Sequence, residues 1–309
     1  MSNPPYVVSG DAELLLGRWA EEKGFTIPPT EHFAEKREGL LDALCRIFPV
    51  VEWISAEKLS STIRGLVGKI EFPIDEVPPD CEFIDYGNMA IVSMTRSHWT
   101  SQYHIDVSRS VNQEGNDVGS FHRAGSAALD IQYQSLAQQG ITDVVLVDDV
   151  VFSGGQACQV IEGLKRHKIR VRAMIAGIWI DEGWKRVHQQ QVRTLASVCY
   201  KNLIDEVCER DFIPGTPLCG RSLAHDGNAG FPYILPFGRP GDWASIPDSH
   251  LVSFSRTCLE ISIDLFREIE KCSGREVQCR DLERQVVGLP SGTERFVDEL
   301  QKSLDRLGS

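Results

Sequence analysis

Apolar positions recur every three or four residues through roughly the first seventy residues, and this spacing predicts helices. Leu14, Leu15, Leu16 and Trp19 follow Ser9 and Asp11, either of which can cap a helix. Phe33, Leu40, Leu41, Leu44 and Ile47 mark a second helix, and Ser55 precedes a third, AEKLSSTIRGLV. EFPIDEVPPD (71–80), rich in proline and acids, reads as a boundary. The period then shortens. CEFIDY, NMAIVSM and YHIDVS are short apolar runs rich in β-branched residues, which predict strands. SRSVNQEGNDVGSFH (108–122) is polar with glycines and predicts a mobile loop.

Longer elements follow. RAGSAALDIQYQSLAQQG predicts a helix with a glycine stop, and TDVVLVDD an apolar strand. GQACQVIEGLKRHK places Ala157, Val160, Ile161 and Leu164 on one helical face. RVRAMIAGIWI predicts another strand, and GWKRVHQQQVRTLA a further helix. Continuous apolar strands alternating with helices imply an α/β fold, a mostly parallel central sheet covered by helices on both faces. Residues 211–243 combine many glycines and prolines with scattered aromatics, and predict a packed, ordered loop region without regular elements. The tail returns to helix, with Leu251, Phe254, Cys258, Ile261 and Phe266 as a stripe and Ser291 with Glu294 as a capping box for the last helix. The expected organisation is an N-terminal helical extension (1–78), an α/β core (79–248) and a C-terminal helical segment (249–309).

Composition narrows the function class. The formal net charge of −12 and the absence of a clustered Lys/Arg face speak against a dedicated nucleic-acid binder. Nine cysteines, never at C-x-x-C spacing, argue against a disulfide framework or structural zinc. No apolar run is long enough to span a bilayer, and the N-terminus lacks the basic and apolar regions of a secretory leader. A soluble, cytoplasmic protein is expected.

The chemistry concentrates in VVLVDDVVFSGGQ, Val144 to Gln156. A buried parallel strand delivers its C-terminal residues to the edge where α/β ligands bind. Two adjacent carboxylates there, Asp148 and Asp149, repel each other and need hydroxyl donors, a cation, or both. The turn Phe152-Ser153-Gly154-Gly155-Gln156 lets successive N–H groups converge on an anion at a helix start. Carboxylates for a diol and a nest for a phosphate imply a ribose 5-phosphate. The absence of G-x-G-x-x-G after the first strand argues against a nicotinamide dinucleotide site.

This stretch resembles the phosphoribosyl-pyrophosphate (PRPP) signature of type I phosphoribosyltransferases, and the order of elements resembles that family over roughly residues 80–200. The resemblance implies a type I phosphoribosyltransferase-like core. Asp148 and Asp149 would hold the ribose hydroxyls and, through the ligand, Mg²⁺. Val150, Val151, Phe152, Ser153, Gly154, Gly155 and Gln156 would form the phosphate loop. Pyrophosphate would leave as a nitrogen nucleophile attacks the anomeric carbon. Arg96 becomes the candidate for gripping pyrophosphate, preferred over Thr95 and Ser97 because a guanidinium binds phosphate in a bidentate fork. The loop from Ser108 to His122, including Arg109, is either the lid over the site or a plain hairpin. The 211–243 segment falls where the family builds a hood over the acceptor. There Arg221, Asp226, Asn228 and Arg239 either read the acceptor or satisfy loop backbone.

Two residues depart from the family pattern. Gln156 replaces a threonine, so one hydroxyl contact to phosphate is missing or replaced by an amide. Phe152 cannot relay a proton to a base. Glu162 has the spacing of a glutamate in adenine-type members, or is a solvated helix-face residue, and Trp179 is either core or a stacking platform. Two functions follow. One is a phosphoribosyltransferase acting on an unknown nitrogen nucleophile. The other is a divergent effector or regulator of a bacterial defence (retron-type) or stress system, with altered or no salvage activity. In the second the helical flanks would dock a protein partner. Homo-oligomerisation is expected in either case.

Overall fold

The computed structural model describes residues 3–71, 89–99, 101–123, 125–224 and 226–308. In chain order it begins β1 (Tyr6–Ser9), α1 (Ala12–Lys23), α2 (Thr30–Cys45), β2 (Val51–Ile54) and α3 (Ala56–Glu71). There follow β3 (Met89–Ser93), β4 (Tyr103–His104), β5 (Val107–Val111), β6 (Asp117–His122) and α4 (Leu129–Gln138). Then come β7 (Asp143–Val151), α5 (Gly155–Arg166), β8 (Arg170–Ile180), α6 (Asp181–His188), β9 (Arg193–Tyr200) and β10 (Asp205–Cys208). The C-terminal part holds β11 (Arg221–Leu223), β12 (Asp226–Phe231), α7 (Pro240–Ala244), α8 (Leu251–Ser273), β13 (Gln285–Val286) and α9 (Phe296–Arg306).

The chain divides into two units that do not follow sequence order. One comprises Met1–Ser55, Ser110–Val118 and Leu203–Ser309, the other Ala56–Arg109 and Gly119–Asn202. The expected segments 1–78, 79–248 and 249–309 therefore differ from the observed division. The N-terminal and C-terminal helices share one hydrophobic core, in which Leu16, Trp19, Leu40 and Leu44 meet Phe254, Leu259, Phe266 and Phe296.

The second unit is built on a five-stranded sheet, order β4-β3-β7-β8-β9, with parallel pairing between neighbours. Its middle strand explains itself. Val144 to Val147 are at most 1% exposed. A run apolar at every position suits a strand covered on both faces, each side chain gaining roughly 1.5–3 kcal/mol on burial. Val144 and Leu146 share a core with Tyr133 of α4 and with Val160, Ile161 and Leu164 of α5. Across the sheet, α3 lies on β8: a Cβ added at Gly177 would come 2.1 Å from Leu59 Cδ1, so the glycine is what lets that helix approach. This is the α/β, mostly parallel architecture that the periodicity predicts.

In the first unit a three-stranded parallel sheet, order β10-β1-β2, carries α1 and α2. β1 and β2 fall in the stretch whose spacing predicts helices. They are four residues long, too short to show a period of two against neighbouring helices. A mixed sheet, order β13-β12-β11-β5-β6, completes the set.

Five further expectations are corrected. Residues 108–122 are no loop: β5 and β6 are hydrogen-bonded neighbours joined by a turn in which Asn112 N–H donates to the Asn116 carbonyl at 3.0 Å. The helix expected over 183–196 ends at His188, and Arg193–Tyr200 forms an edge strand. The 211–243 segment is packed as expected, Asp211 to Cys219 being buried, but it also contains β11, β12 and α7. No side chain caps α9, which starts after Arg295; the capping box lies between Gln278 and Asp281 instead. Ser9 and Asp11 likewise leave α1 uncapped, because Asp11 takes the Arg210 guanidinium. The expected strand CEFIDY (81–86) lies outside the described residues. Among the described residues no helix is long and apolar enough to cross a membrane.

Candidate functional site

The sheet order β4-β3-β7-β8-β9 has one point where the chain's direction of travel reverses. From β3 the chain passes to β4 on one side, and from β7 it passes to β8 on the other. Loops leaving the carboxyl ends of β3 and β7 therefore diverge and leave a crevice between them, the place where open α/β sheets bind ligands. Both candidate aspartates stand there.

Asp148 is 6% exposed, and Asp149 is half-buried. Asp148 Oδ1 accepts the Asp149 N–H at 3.0 Å, and Asp149 Oδ1 accepts the Val150 N–H at 2.9 Å. Asp149 Oδ2 also accepts hydroxyls from the loop after β3, Thr95 Oγ1 at 3.2 Å and Ser97 Oγ at 3.3 Å. Burial and the neighbouring Asp149 push the Asp148 carboxyl well above the usual carboxylate range. Burial pushes Asp149 the same way, but the charge of His98, the Asp148 hydrogen bond and the Val150 N–H together hold it below that range. Asp148 is thus the weaker acid of the pair and Asp149 the stronger. Carboxyl groups can serve hydroxyls as acceptors and, when protonated, as donors.

The strand ends at Val151, and the chain turns through Phe152, Ser153 and Gly154 into α5. Gly154 is left-handed, φ 74°, at the N-cap of that helix. A side chain there would be strained, and its Cβ would lie 3.0 Å from the Gly183 carbonyl oxygen. No acid occupies the first turn of α5, so its N–H groups and positive helix end have no anionic rival within that turn. The Gly155 N–H reaches Ser153 Oγ at 3.5 Å. Gln156 Oε1 accepts a long hydrogen bond, 3.5 Å, from Ser120 of β6, and Gln159 Nε2 donates to the Ser120 carbonyl at 2.9 Å. The amide that stands in for threonine is thus turned toward β6.

The structure brings Asp148, Asp149 and the turn 150–156 together on one sheet edge. It places other candidates differently. Arg96 lies in the loop after β3, yet its guanidinium forks onto Asp106, with Nε to Oδ1 and Nη2 to Oδ2 both at 2.5 Å. Asp106 is depressed despite burial, because Arg96 and Ser126 both donate to it. Arg109 and His122 are exposed on β5 and β6, and Ser108 is half-buried. Glu162 is solvated on α5. Trp179 is core: it is 0% exposed and its indole N–H donates to the Leu195 carbonyl at 2.9 Å.

Within the first unit Arg221 pairs with Asp117 at 2.8 Å and lies over the Trp243 ring. Arg239 holds the turn 112–116 through Asn116 Oδ1 and the Glu114 carbonyl. Both cations therefore satisfy loop groups. Asn228 is exposed, and Asp226 begins β12.

Four residues of the site were not singled out from the sequence. Thr95 and Ser97 rank below Arg96 in the sequence because a hydroxyl carries no charge for pyrophosphate; the fold sets both hydroxyls against Asp149. His98, 5% exposed, lies in electrostatic reach of Asp149. Arg123 exerts its field on Asp106, Asp148 and Asp149 together, and its Nε is buried with no hydrogen-bond partner. His98 had a signal, a lone polar ring in the loop after an apolar strand. Arg123 had none, because only the fold carries the end of β6 back to β7.

No protein-family model matches the chain, and no curated protein does. Among solved structures it is similar to the adenine phosphoribosyltransferase of Leishmania tarentolae, at 14% identity and a TM-score of 0.28, over 48% of this chain and 73% of that one. It is similar also to the enzyme of Thermoanaerobacter pseudethanolicus, at 12% identity and a TM-score of 0.27, over 47% of this chain and 82% of that one. For that of Rhodothermus marinus the figures are 15% and 0.27, over 46% of this chain and 80% of that one. These are partial likenesses at low TM-score, so the functional assignment rests on the site's own residues.

Proposed function

We propose that the second unit binds PRPP or a related ribose 5-phosphate compound and transfers its phosphoribosyl group to a nitrogen nucleophile with release of pyrophosphate. One observation carries this reading: two adjacent carboxyl groups, Asp148 and Asp149, lie on the same sheet edge as a glycine turn that opens a helix. The pair fits the ribose diol, and the turn fits the 5-phosphate. The site would work by positioning the anomeric carbon for attack and by excluding water from a cationic transition state. Mg²⁺ entering with the pyrophosphate would neutralise its charge as it departs. Among the described residues no group of three or more His, Cys, Asp or Glu side chains is arranged to hold a metal, so such an ion would draw most of its oxygens from the ligand and water.

The test is calorimetric titration with PRPP and Mg²⁺, followed by a pyrophosphate-release assay with a mixture of nucleobases. PRPP at about 100 times its Kd should stabilise the fold by about 2.7 kcal/mol. Asp148→Asn combined with Asp149→Asn should remove both binding and release. A wild-type protein that gives no heat and no thermal shift with PRPP, ribose 5-phosphate or a nucleoside monophosphate would overturn the assignment.

The Arg96–Asp106 fork favours a second reading, in which the ligand is bound but not turned over. The arginine best placed in sequence to grip pyrophosphate is already engaged. The chain would then act as a nucleotide-responsive regulator or effector, including one in a bacterial defence system. Binding without pyrophosphate release is the result that selects it.

A further inference from the structure

The phosphate turn has a side chain over it that belongs to neither the turn nor its helix. Gly154 and Gly155 face α6, the helix that follows β8. A Cβ built on Gly154 would lie 3.1 Å from the Gly183 Cα and 3.4 Å from the Arg186 Cβ. A Cβ built on Gly155 would lie 3.6 Å from Arg186 Nη1 and 3.7 Å from Ser153 Oγ. The guanidinium therefore lies beside Gly155, the first residue of α5, while the Cβ of the same side chain lies against Gly154. Lys185, one residue earlier, pairs with Asp181, whereas Arg186 makes no ion pair among the described residues. Its position is fixed through the backbone: Cys158 Sγ contacts the Arg186 carbonyl at 3.8 Å, and Val187, fully buried, anchors the helix in the core.

We infer that Arg186 is the side-chain reader of the ligand's 5-phosphate, delivered from α6 across the glycine turn. The inference rests on the proposed ribose 5-phosphate site and adds to it the specificity for a phosphate dianion. Its logic is substitution. With Gln156 drawn toward Ser120, the turn offers backbone N–H groups and the Ser153 hydroxyl. Such a nest alone holds an anion but discriminates poorly between charge states. A guanidinium beside it supplies a fork of charged donors matched to two phosphate oxygens.

Arg186→Ala, Arg186→Lys and Arg186→Gln would each be titrated in the full chain with ribose 5-phosphate, and with ribose and inorganic phosphate as separate probes. The alanine and glutamine variants should bind ribose 5-phosphate about tenfold to a hundredfold more weakly, the loss expected for one charged hydrogen-bonding partner. Lysine should retain part of the affinity, since it restores the charge without the fork. Ribose binding should not change, and competition by inorganic phosphate should fall in parallel with ribose 5-phosphate binding. The unliganded melting temperature should stay at the wild-type value, because Arg186 is exposed and its contact with Cys158 uses the main chain. Wild-type binding with equal affinity in the alanine and glutamine variants would overturn the role of Arg186 and leave the site standing. A wild-type protein that binds neither ribose 5-phosphate nor PRPP would remove both.

Discussion

At the residue scale, the site places two carboxylates where a stable core would place none. Burial and the neighbouring Asp149 raise the Asp148 carboxyl well above the usual carboxylate range. A carboxyl whose folded pKa exceeds its unfolded value binds protons more tightly when folded. Its effect on stability is absent at low pH and grows more unfavourable as pH rises past the unfolded value of about 4 toward the folded one. Asp148→Asn keeps a neutral group of similar shape and removes that penalty. The variant should therefore melt higher than wild type at pH 7, by about 2–4 °C for each kcal/mol relieved, and should converge with it at pH 4. Differential scanning calorimetry across that range checks this, and equal melting at pH 7 would mean that Asp148 is ionised in the fold. The same variant should lose ligand affinity, so stability and binding move in opposite directions. In the first unit, Glu209 is 4% exposed, and burial lifts its carboxyl to about 7 against the pull of Arg37 and the Ala12 N–H. The sign is again that of a raised acid. Between about pH 4.5 and 7 wild type should lose on the order of 3 kcal/mol through this group, and Glu209→Gln should lack that part of the slope. Denaturant melts of the two proteins at pH 4.5, 6 and 7.5 measure the difference directly.

At the element scale, glycines decide how closely helices approach strands and turns, and they do so in opposite senses. Gly183 in α6 lies against the phosphate turn: a Cβ there would meet the Phe152 carbonyl oxygen at 2.2 Å. Gly183→Ala must displace the turn or the helix, at about 1–3 kcal/mol, and should weaken ribose 5-phosphate binding through the altered nest. Gly65 in α3 has no atom within 4 Å of an added Cβ. Gly65→Ala should stabilise the protein by roughly 0.5–1 kcal/mol through helix propensity, and leave binding unchanged. Chemical denaturation and titration of both variants separate crowding at the site from the general effect of replacing glycine. What could be read from the sequence also sorts by element. β7, α5 and β8 are long and strongly patterned, so the sequence alone locates the sheet edge, the acid pair and the turn. β1, β2 and β10 are four residues each, and nothing so short resolves a period against adjacent helices. β9 mixes exposed and half-buried positions because it is an edge strand. β6 is mostly exposed, so its polar residues read as a loop.

At the scale of the whole molecule, the chain holds two parallel sheets with polar carboxyl ends, and only one carries the proposed ligand site. Charge and burial alone do not choose between them. In the first unit the end of the β10-β1-β2 sheet gathers Ser9, Asp11, Glu206 and Glu209, all buried. These groups satisfy one another and their neighbours. Ser9 Oγ donates to Glu206 at 2.7 Å, Asp11 takes Arg210, and Glu209 accepts the Ala12 N–H at 3.2 Å with Arg37 at 3.5 Å. A closed network of this kind stabilises α1 on its sheet and leaves few groups for a ligand. In the second unit no acid occupies the first turn of α5, and the Arg186 guanidinium lies beside Gly155. Neither sheet's chain order revealed this contrast. The segments that complete the first unit are separated in sequence by the entire second one, so its acids and arginines look scattered until the fold joins them. Hydrogen exchange on the full chain distinguishes the two edges. With PRPP at about 100 times its Kd, amides that exchange only by openings that release the ligand should slow by up to about a hundredfold. Protection should concentrate in 94–99, 149–157 and 181–187. Peptides covering β1, the start of α1 and Glu209 should exchange at their unliganded rates. Protection centred on 6–12 and 205–210 instead would place the ligand on the first unit's sheet and refute the assignment to Asp148 and Asp149.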